Sequence, residues 1–311
     1  MFAQLKGLSS KLPSQCVDNH FFEDKIETSH DWILARTGIK TRYFCGPGED
    51  DLYLASEAAI GALEDAGLVA AEIDLTLVAT STSSQALPSL ACRLQGEIAL
   101  SGLALDINAA CSGFLCAVDV AEQYIKTGKC KRVLIVAVDV SSNVLDMTDR
   151  HTCILFGDGA GAVVLEATEE PGILLSHCLS DGRSDLIQTE PYSGKGYLHM
   201  NGREVFRHAI ARFDEMINHM VSIAGVDVGD VDLFVPHQAN KRIIENVAKK
   251  HAIPEEKMVS SIEQYGNTMA ASIPMALSLA REQGRLRAGQ LIFFESLGAG
   301  MVWGYALMRM R

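Results

Sequence analysis

The stretch DINAACSGFLCAV, residues 106–118, places a thiol where an alternating pattern gives way to a helical one. Leu103, Leu105 and Ile107 alternate with Ala104, Asp106 and Asn108, as in a strand, whereas Phe114, Val118, Ala121 and Ile125 recur at helical spacing. Cys111 sits at the switch. There the first-turn N–H groups and the helix dipole favour an anion, so the position predicts a stabilised thiolate, a lowered pKa and nucleophilic chemistry. Gly113 is expected to leave room for a substrate to approach closely. Cysteines in a core are commonly inert small hydrophobes, so position alone leaves both readings of Cys111 open, while Cys116, inside the helix, reads as packing.

Two further polar groups could share such a site. His237, in DLFVPHQANKRI, follows a strand at its carboxyl end, where α/β sheets place their ligands, although lone histidines are also structural. Asn267, in YGNTMAASIPMAL, stands where a turn enters a helix and reads either as an N-cap or as a site amide. Trp32 and Arg36 are four apart on a helix predicted to start at a Thr28 or Ser29 cap and to end at Gly38, so they share one face. An indole beside a guanidinium suits an adenine and its phosphates; the alternative is a buried tryptophan beside a surface arginine. GDGAGA at 157–162 is not a nucleotide loop, because it runs into the strand-like AVVLE and carries no P-loop lysine.

The elements that must position these residues come from an internal repeat. AGLVAAEIDLTLV at 66–78 aligns without a gap on AGVDVGDVDLFVP at 224–236, an offset of 158 residues from Gly67 to Gly225. Carried forward, the same offset sets Val133–Val136 on Leu291–Phe294 and Cys111 on residue 269, inside the stretch that bears Asn267. In each half an amphipathic helix precedes a short apolar strand, which makes the class α/β. Two such halves, 1–168 and 169–311, packed about a pseudo-two-fold axis, would bring equivalent strand ends together at the centre, where a site could draw on both.

Composition bounds the function. Apolar residues make up 48% and charged residues 21% of 311, as in soluble globular proteins, and runs such as VLIVAV at 133–138 are too short for a bilayer. The N-terminus has no signal-peptide pattern, so a cytoplasmic protein is expected, with no membrane partner. Eight cysteines without a C-x-x-C pair read as reduced thiols, and nine histidines without an H-x-x-x-H pair argue against a metal. A net charge of -12 argues against nucleic acid as the partner.

ACSGF, VPHQAN and YGNTMAASIP, in this order, together resemble the β-ketoacyl-acyl carrier protein synthase III family of condensing enzymes. DWILARTGIKTR at 31–42, TDRHT at 148–152, FGDGAGAVVL at 156–165 and GAGMVWGYAL at 298–307 extend the likeness over nearly the whole chain. The resemblance implies the thiolase fold, itself a duplication, with two α/β halves layered α-β-α-β-α, and a homodimer. It implies a Cys-His-Asn site of Cys111, His237 and Asn267. Cys111 would take an acyl group from an acyl-coenzyme A, and His237 and Asn267 would donate hydrogen bonds to the enolate formed when malonyl-acyl carrier protein loses carbon dioxide. The backbone N–H groups of Cys111 and Ala299 would hold the oxyanion. No cofactor is implied; the coenzyme A thioester is a substrate.

By the same resemblance Trp32, Arg36 and Arg150 grip coenzyme A at a tunnel mouth, and Gly202, Phe206 and Asn240 match other tunnel positions. Lys241, Arg242, Lys249 and Lys250 on NKRIIENVAKKHA, with Gln238 and nearby Arg203, Arg207 and Arg212, would receive the acidic carrier protein. Leu87, Phe156 and Leu297 would shape the acyl pocket, Leu87 by crossing the dimer interface. Ala299 stands where glycine is usual, and Leu87 and Leu297 where phenylalanine is frequent, which leaves the primer length open. Asn267 in place of a second histidine separates the chain from elongating ketosynthases, and the lack of any cysteine after 178 separates it from degradative thiolases. A relative that joins other acyl or β-keto acid units in secondary metabolism is the alternative.

Overall fold

The computed structural model describes residues 1–190 and 196–310. Nine strands form two sheets: β1 (Phe2–Lys11), β2 (Leu75–Ala79), β3 (Leu103–Ile107), β4 (Arg132–Asp139) and β5 (Gly159–Thr168) in the first, and β6 (Ile173–Ser180), β7 (Leu233–Pro236), β8 (Leu291–Gly298) and β9 (Val302–Arg309) in the second. The spatial order is β1-β5-β4-β2-β3 in one and β6-β9-β8-β7 in the other. Each sheet runs antiparallel at its β1 or β6 end and parallel at its β2 or β7 end. The place of β3 in the second sheet is taken by one parallel bridge from Phe234 to Met258. Every strand of the second sheet thus has its counterpart in the first, and only β3 lacks a full one.

The helices used below are α1 (His30–Thr37), α2 (Asp51–Ala66), α3 (Leu90–Glu97), α4 (Gly113–Lys126), α5 (Gly202–Ala224), α6 (Lys241–Lys250) and α7 (Ser272–Glu282). Their ends follow the expected chemistry. Ser29 caps α1 by accepting the Trp32 N–H, and Gly38 ends it at φ 76. Gly67 and Gly225, the residues that set the repeat offset, end α2 and α5 in the same left-handed conformation, at φ 68 and φ 62.

Burial sorts the helices into layers. Leu54, Ala58 and Leu63 of α2 pack with Leu90 and Leu94 of α3 on one outer face of the first sheet, and Phe213, Ile217 and Ile244 of α5 and α6 cover the outer face of the second. Between the sheets lie α4 and α7, whose Phe114, Val118, Ala121 and Ile125, and Ile273, Met275 and Leu277, join inward residues of both sheets in one core. All residues of α7 from Ser272 to Ala280 are buried, as a helix with sheets on both sides must be. The order is helix, sheet, helix, sheet, helix, the five-layered arrangement of a thiolase fold.

The repeat slips by one residue along the chain. Leu75 pairs with Val133 and Leu233 with Ile292, so the offset, 158 at β2 and β7, is 159 at β4 and β8 (Val133 to Ile292). The same slip moves the mate of Cys111 from Met269 to Ala270, because the short turns before α4 and α7 are Ala110–Ser112 and Met269–Ala271. A one-residue insertion in a loop costs little, whereas inside a strand it would turn every side chain to the wrong face.

Candidate active site

Cys111 occupies the single 3-10 turn between β3 and α4. Ala110 just before it has φ 47, and the equivalent Met269 has φ 50. A left-handed backbone at a residue with a Cβ stores on the order of 1–3 kcal/mol, so both turns are held in place by what surrounds them. One restraint is Asp139, at the end of β4. Its Oδ2 accepts the Ala270 N–H at 3.0 Å, and its Oδ1 accepts the Ser81 N–H and the Thr82 hydroxyl, both at 2.9 Å. A single buried carboxylate thus joins the turn of the second half to a loop of the first.

The second restraint is an absent side chain. A Cβ on Gly298, at the end of β8, would lie 2.8 Å from the Cys111 nitrogen and 3.0 Å from that of Ser112. Only glycine lets β8 close on this turn and bring Ala299 into the cavity that Cys111 lines. Gly113 serves a different end from the one expected. It is buried, and a Cβ there would meet Ala79 at 3.1 Å and Ala270 at 3.6 Å, so it allows close packing of α4 rather than the approach of a substrate.

The thiol also departs from expectation. Burial pushes Cys111 up to about 12, the Asp139 carboxylate acts in the same direction, and the Cys111 backbone N–H alone opposes them. Loss of water around the sulfur thus works against the lowering expected from the helix start and favours the neutral thiol. His237 is neutral too: buried, its imidazole is lowered to about 3. It follows β7, its N–H donates to Glu295 O at 2.7 Å, and its Nδ1 lies 2.7 Å from Ser272 Oγ.

Asn267 enters from the loop before α7. Its backbone is clamped to the first half, with its N–H on Leu155 O at 2.9 Å and its carbonyl accepting from the Gly157 N–H at 3.0 Å. Its side-chain Oδ1 accepts the Met269 N–H at 2.9 Å, which fixes the amide and leaves Nδ2 as the donor. Asn267 is the N-cap neither of the Met269–Ala271 turn, where Thr268 holds that place, nor of α7, which follows Ala271, so the helix-cap reading of this asparagine does not hold.

A cavity of about 990 Å³ reaches Cys111 and Asn267 from the surface. Cys111, Asn267, Ala299 and Phe156 line it, together with Trp32, Arg36, Arg150, Gly202, Phe206 and Asn240. His237 is only 2% exposed; Ala239 and Asn240, two and three residues further on, form the wall there. Two guanidinium groups lie against Trp32, Arg150 at 4.8 Å and Arg36 at 5.6 Å from its ring centroid. Arg36 is exposed and Cys111 buried, so the cavity leads from a cationic aromatic mouth to an uncharged thiol.

Two expected positions are displaced. Gln238 is fully buried, donates to Pro236 O and Val259 O, and accepts the N–H groups of Ser261 and Ile262; it buckles two loops together and cannot meet a carrier protein at the surface. Leu297 packs in the core under α5 and α6 and does not line the cavity, because its side chain lies on the outer face of β8. Leu87 is 86% exposed and is not part of its own chain's cavity. Of the basic residues on α6, Arg242 lies over the Phe206 ring at 5.5 Å and lines the cavity, and Lys249 is exposed; Lys241 and Lys250 pair with Glu263 and Asp214.

Asp139 and Ser272 were not singled out from the sequence. A carboxylate closing the apolar run VLIVAV was a signal for the first, whereas a serine inside a helical stretch gave none.

Comparison with known proteins gives the chain a family. Residues 105–182 match the family description 3-oxoacyl-(acyl-carrier-protein) synthase III, and residues 221–310 match that of its C-terminal part. A β-ketoacyl-(acyl-carrier-protein) synthase III of Allorhizobium ampelinum is 44% identical over 98% of both chains. The crystal structure of 3-oxoacyl-(acyl-carrier-protein) synthase III from Aquifex aeolicus superposes with a TM-score of 0.95 at 41% identity over 99% of both chains. That of a priming β-ketosynthase from the R1128 polyketide pathway gives 0.94 at 33% identity, over 99% of this chain and 96% of the other. With identity of this order spread along a shared five-layered fold, the chain belongs to the β-ketoacyl-acyl carrier protein synthase III family.

Proposed function

We propose that the protein condenses an acyl-coenzyme A primer with malonyl-acyl carrier protein, with loss of carbon dioxide, to give a β-ketoacyl-acyl carrier protein and so begin fatty acid biosynthesis. The observation that carries this reading is the cavity itself, which joins a Trp32–Arg36–Arg150 mouth to Cys111, Asn267 and Ala299. Adenine stacks on the indole and phosphates pair with the guanidinium groups. Cys111 sulfur attacks the thioester carbonyl, its proton leaves with coenzyme A thiol, and the acyl group stays on the sulfur. Malonyl thioester then loses carbon dioxide, and the electron pair of the broken C–C bond becomes an enolate that accepts from Asn267 Nδ2 and His237 Nε2. The enolate carbon attacks the acyl-cysteine, and the thiolate released takes up a proton. Cys111 and Ala299 N–H groups hold the oxyanion in each acyl transfer.

The carrier protein is acidic and docks by the mouth, on Arg242, Lys249 and Arg203, with Lys241 and Lys250 at the rim. β3 is the last strand of its sheet, Leu103 on it is 50% exposed, and Leu87, in the loop before α3, is 86% exposed. An unpaired edge with exposed leucines supports a homodimer across β3, in which Leu87 reaches the partner's acyl pocket. No helix among the described residues is long and apolar enough to cross a membrane, and no cluster of three or more ligating side chains among them could hold a metal. The reading needs no cofactor, nucleic acid or membrane, and places the enzyme in the cytoplasm. The alternative in secondary metabolism is separated from this reading by the thioester that loads Cys111.

The test is intact-protein mass spectrometry after incubation with acyl-coenzyme A thioesters of increasing length and branching. One acyl mass should be gained by the wild type and none by Cys111→Ala, and the fastest-loading chain defines the primer. No gain on any thioester overturns the assignment.

A further inference from the structure

We infer that Ser272 is a positioning residue that sets the tautomer of His237, keeping the ring proton on Nε2 so that the imidazole acts as a hydrogen-bond donor. The inference rests on the proposed function for its consequence but not for its geometry. Ser272 is the first residue of α7, and its hydroxyl has two neighbours: His237 Nδ1 at 2.7 Å and the Gln238 N–H at 3.3 Å. All three residues are buried, at 1%, 2% and 0% exposure.

Counting hydrogens decides between the two tautomers. The Gln238 N–H is a donor, so it meets a lone pair of the hydroxyl oxygen. The hydroxyl hydrogen then has one acceptor within reach among the described residues, the Nδ1 lone pair. With the ring proton on Nδ1 instead, two hydrogens would contend for the Ser272–His237 contact, and the hydroxyl hydrogen would be buried without a partner, which folded proteins avoid. The satisfied pattern is Gln238 N–H to Ser272 Oγ, Ser272 O–H to His237 Nδ1, and hydrogen on Nε2. Burial keeps the ring neutral, so one tautomer or the other must hold. Nε2 has no hydrogen-bond partner among the described residues, which leaves its hydrogen for a ligand. A ring in this state cannot take the Cys111 proton on Nε2; it can only donate there.

The position of Ser272 is itself set from both halves, through the Asp139 bond to Ala270 two residues before it. The first half thereby reaches the protonation pattern of a histidine carried by the second.

The experiment reads the ring directly. In protein labelled with ¹⁵N at histidine, two-bond ¹H–¹⁵N correlations distinguish the protonated from the bare ring nitrogen, and the His237 signals are those lost in His237→Gln. Hydrogen on Nε2 is expected in the wild type, and a shift of population toward Nδ1–H in Ser272→Ala. Carbon dioxide release from malonyl-acyl carrier protein should fall about tenfold in that variant, since a donor worth about 10²–10³ in rate would be present in only part of the molecules. Loading of Cys111 from acyl-coenzyme A should stay within about twofold. A wild-type ring protonated on Nδ1 overturns the inference, and it does so even if Ser272→Ala does not fold. An unchanged ring spectrum and unchanged carbon dioxide release in Ser272→Ala overturn it equally. A wild-type protein that releases no carbon dioxide would defeat the proposed function, while the ring spectrum would still decide the tautomer.

Discussion

Asn267 has two separable jobs, and two substitutions distinguish them. Its Oδ1 accepts the Met269 N–H at 2.9 Å and so supports a turn that already carries φ 50, while its Nδ2 is the group proposed to hold the enolate. Asn267→Ala removes both. The orphaned, buried Met269 N–H should cost about 1–3 kcal/mol of stability, and loss of one preorganised donor should slow decarboxylation about 10²–10³-fold, or about 3–4 kcal/mol of barrier. Asn267→Asp keeps an acceptor for Met269 but sets an anionic oxygen where the donor was. It should be the more stable of the two variants at pH 8, yet slow decarboxylation at least as much, because repulsion replaces attraction. Carbon dioxide release from malonyl-acyl carrier protein measures the chemistry, mass gain on Cys111 measures loading, and urea unfolding measures stability. Loading should change less than about threefold in both variants. If Asn267→Asp decarboxylated at the wild-type rate, or if loading fell in step with decarboxylation, the amide would not be the enolate donor.

Three further outcomes are expected. With its thiol pushed up to about 12, Cys111 should be alkylated by iodoacetamide at a rate that climbs about tenfold per pH unit from 6 to 9; a plateau below pH 8 would instead reveal the thiolate expected from the helix start. Asp139 is raised from 3.8 to about 6 by burial, so the stability it contributes is complete below pH 3.8 and lost as the pH rises through about 6. At about 1.4 kcal/mol per unit, the wild-type advantage over Asp139→Asn should shrink by about 3 kcal/mol between pH 4 and 7 in urea titrations, and a constant difference would refute the shift. Trp32→Ala should raise KM for acyl-coenzyme A between about 5- and 150-fold, the range for one lost base stack, and leave loading from a short pantetheine thioester unchanged; an equal loss on both would place Trp32 outside adenine binding.

Much of the architecture was legible because the duplication repeats its punctuation. Gly67 and Gly225 end equivalent helices with the same positive φ, and the strands that follow them keep one register of apolar residues. The turn that bears Cys111 was legible for a related reason: the period of the pattern changes there from strand to helix. What the sequence could not display was depth. The field at a helix start is local and readable, whereas the burial that raises the Cys111 thiol comes with packing from afar, such as that of β8, which closes on the turn through Gly298. Gln238 and Leu297 failed in the same way. Each belongs to a segment that does border the site, but one turned out to be an internal buckle and the other faces the opposite side of its strand. Membership in a motif places the backbone; only packing decides where the side chain goes.

A neutral thiol combined with a neutral imidazole and a carboxamide also fits the charge changes of the proposed reaction better than an ion pair would. The malonyl carboxylate must give up its charge to become carbon dioxide, and the charge must appear on the thioester oxygen. A cation close to the carboxylate would stabilise the state that has to be left. In this structure the guanidinium groups of Arg36, Arg150 and Arg242 gather around Trp32 and Phe206 in the outer cavity, while the inner residues Cys111, His237 and Asn267 carry no charge at rest. An uncharged, poorly hydrated floor offers the carboxylate little, and fixed donors aimed at the oxygen offer the enolate much, so the difference between ground and transition state is where the site does its stabilising. Moving one of those cations inward should therefore tighten malonyl binding and slow decarboxylation together, a combination that a site built on ion pairing would not produce.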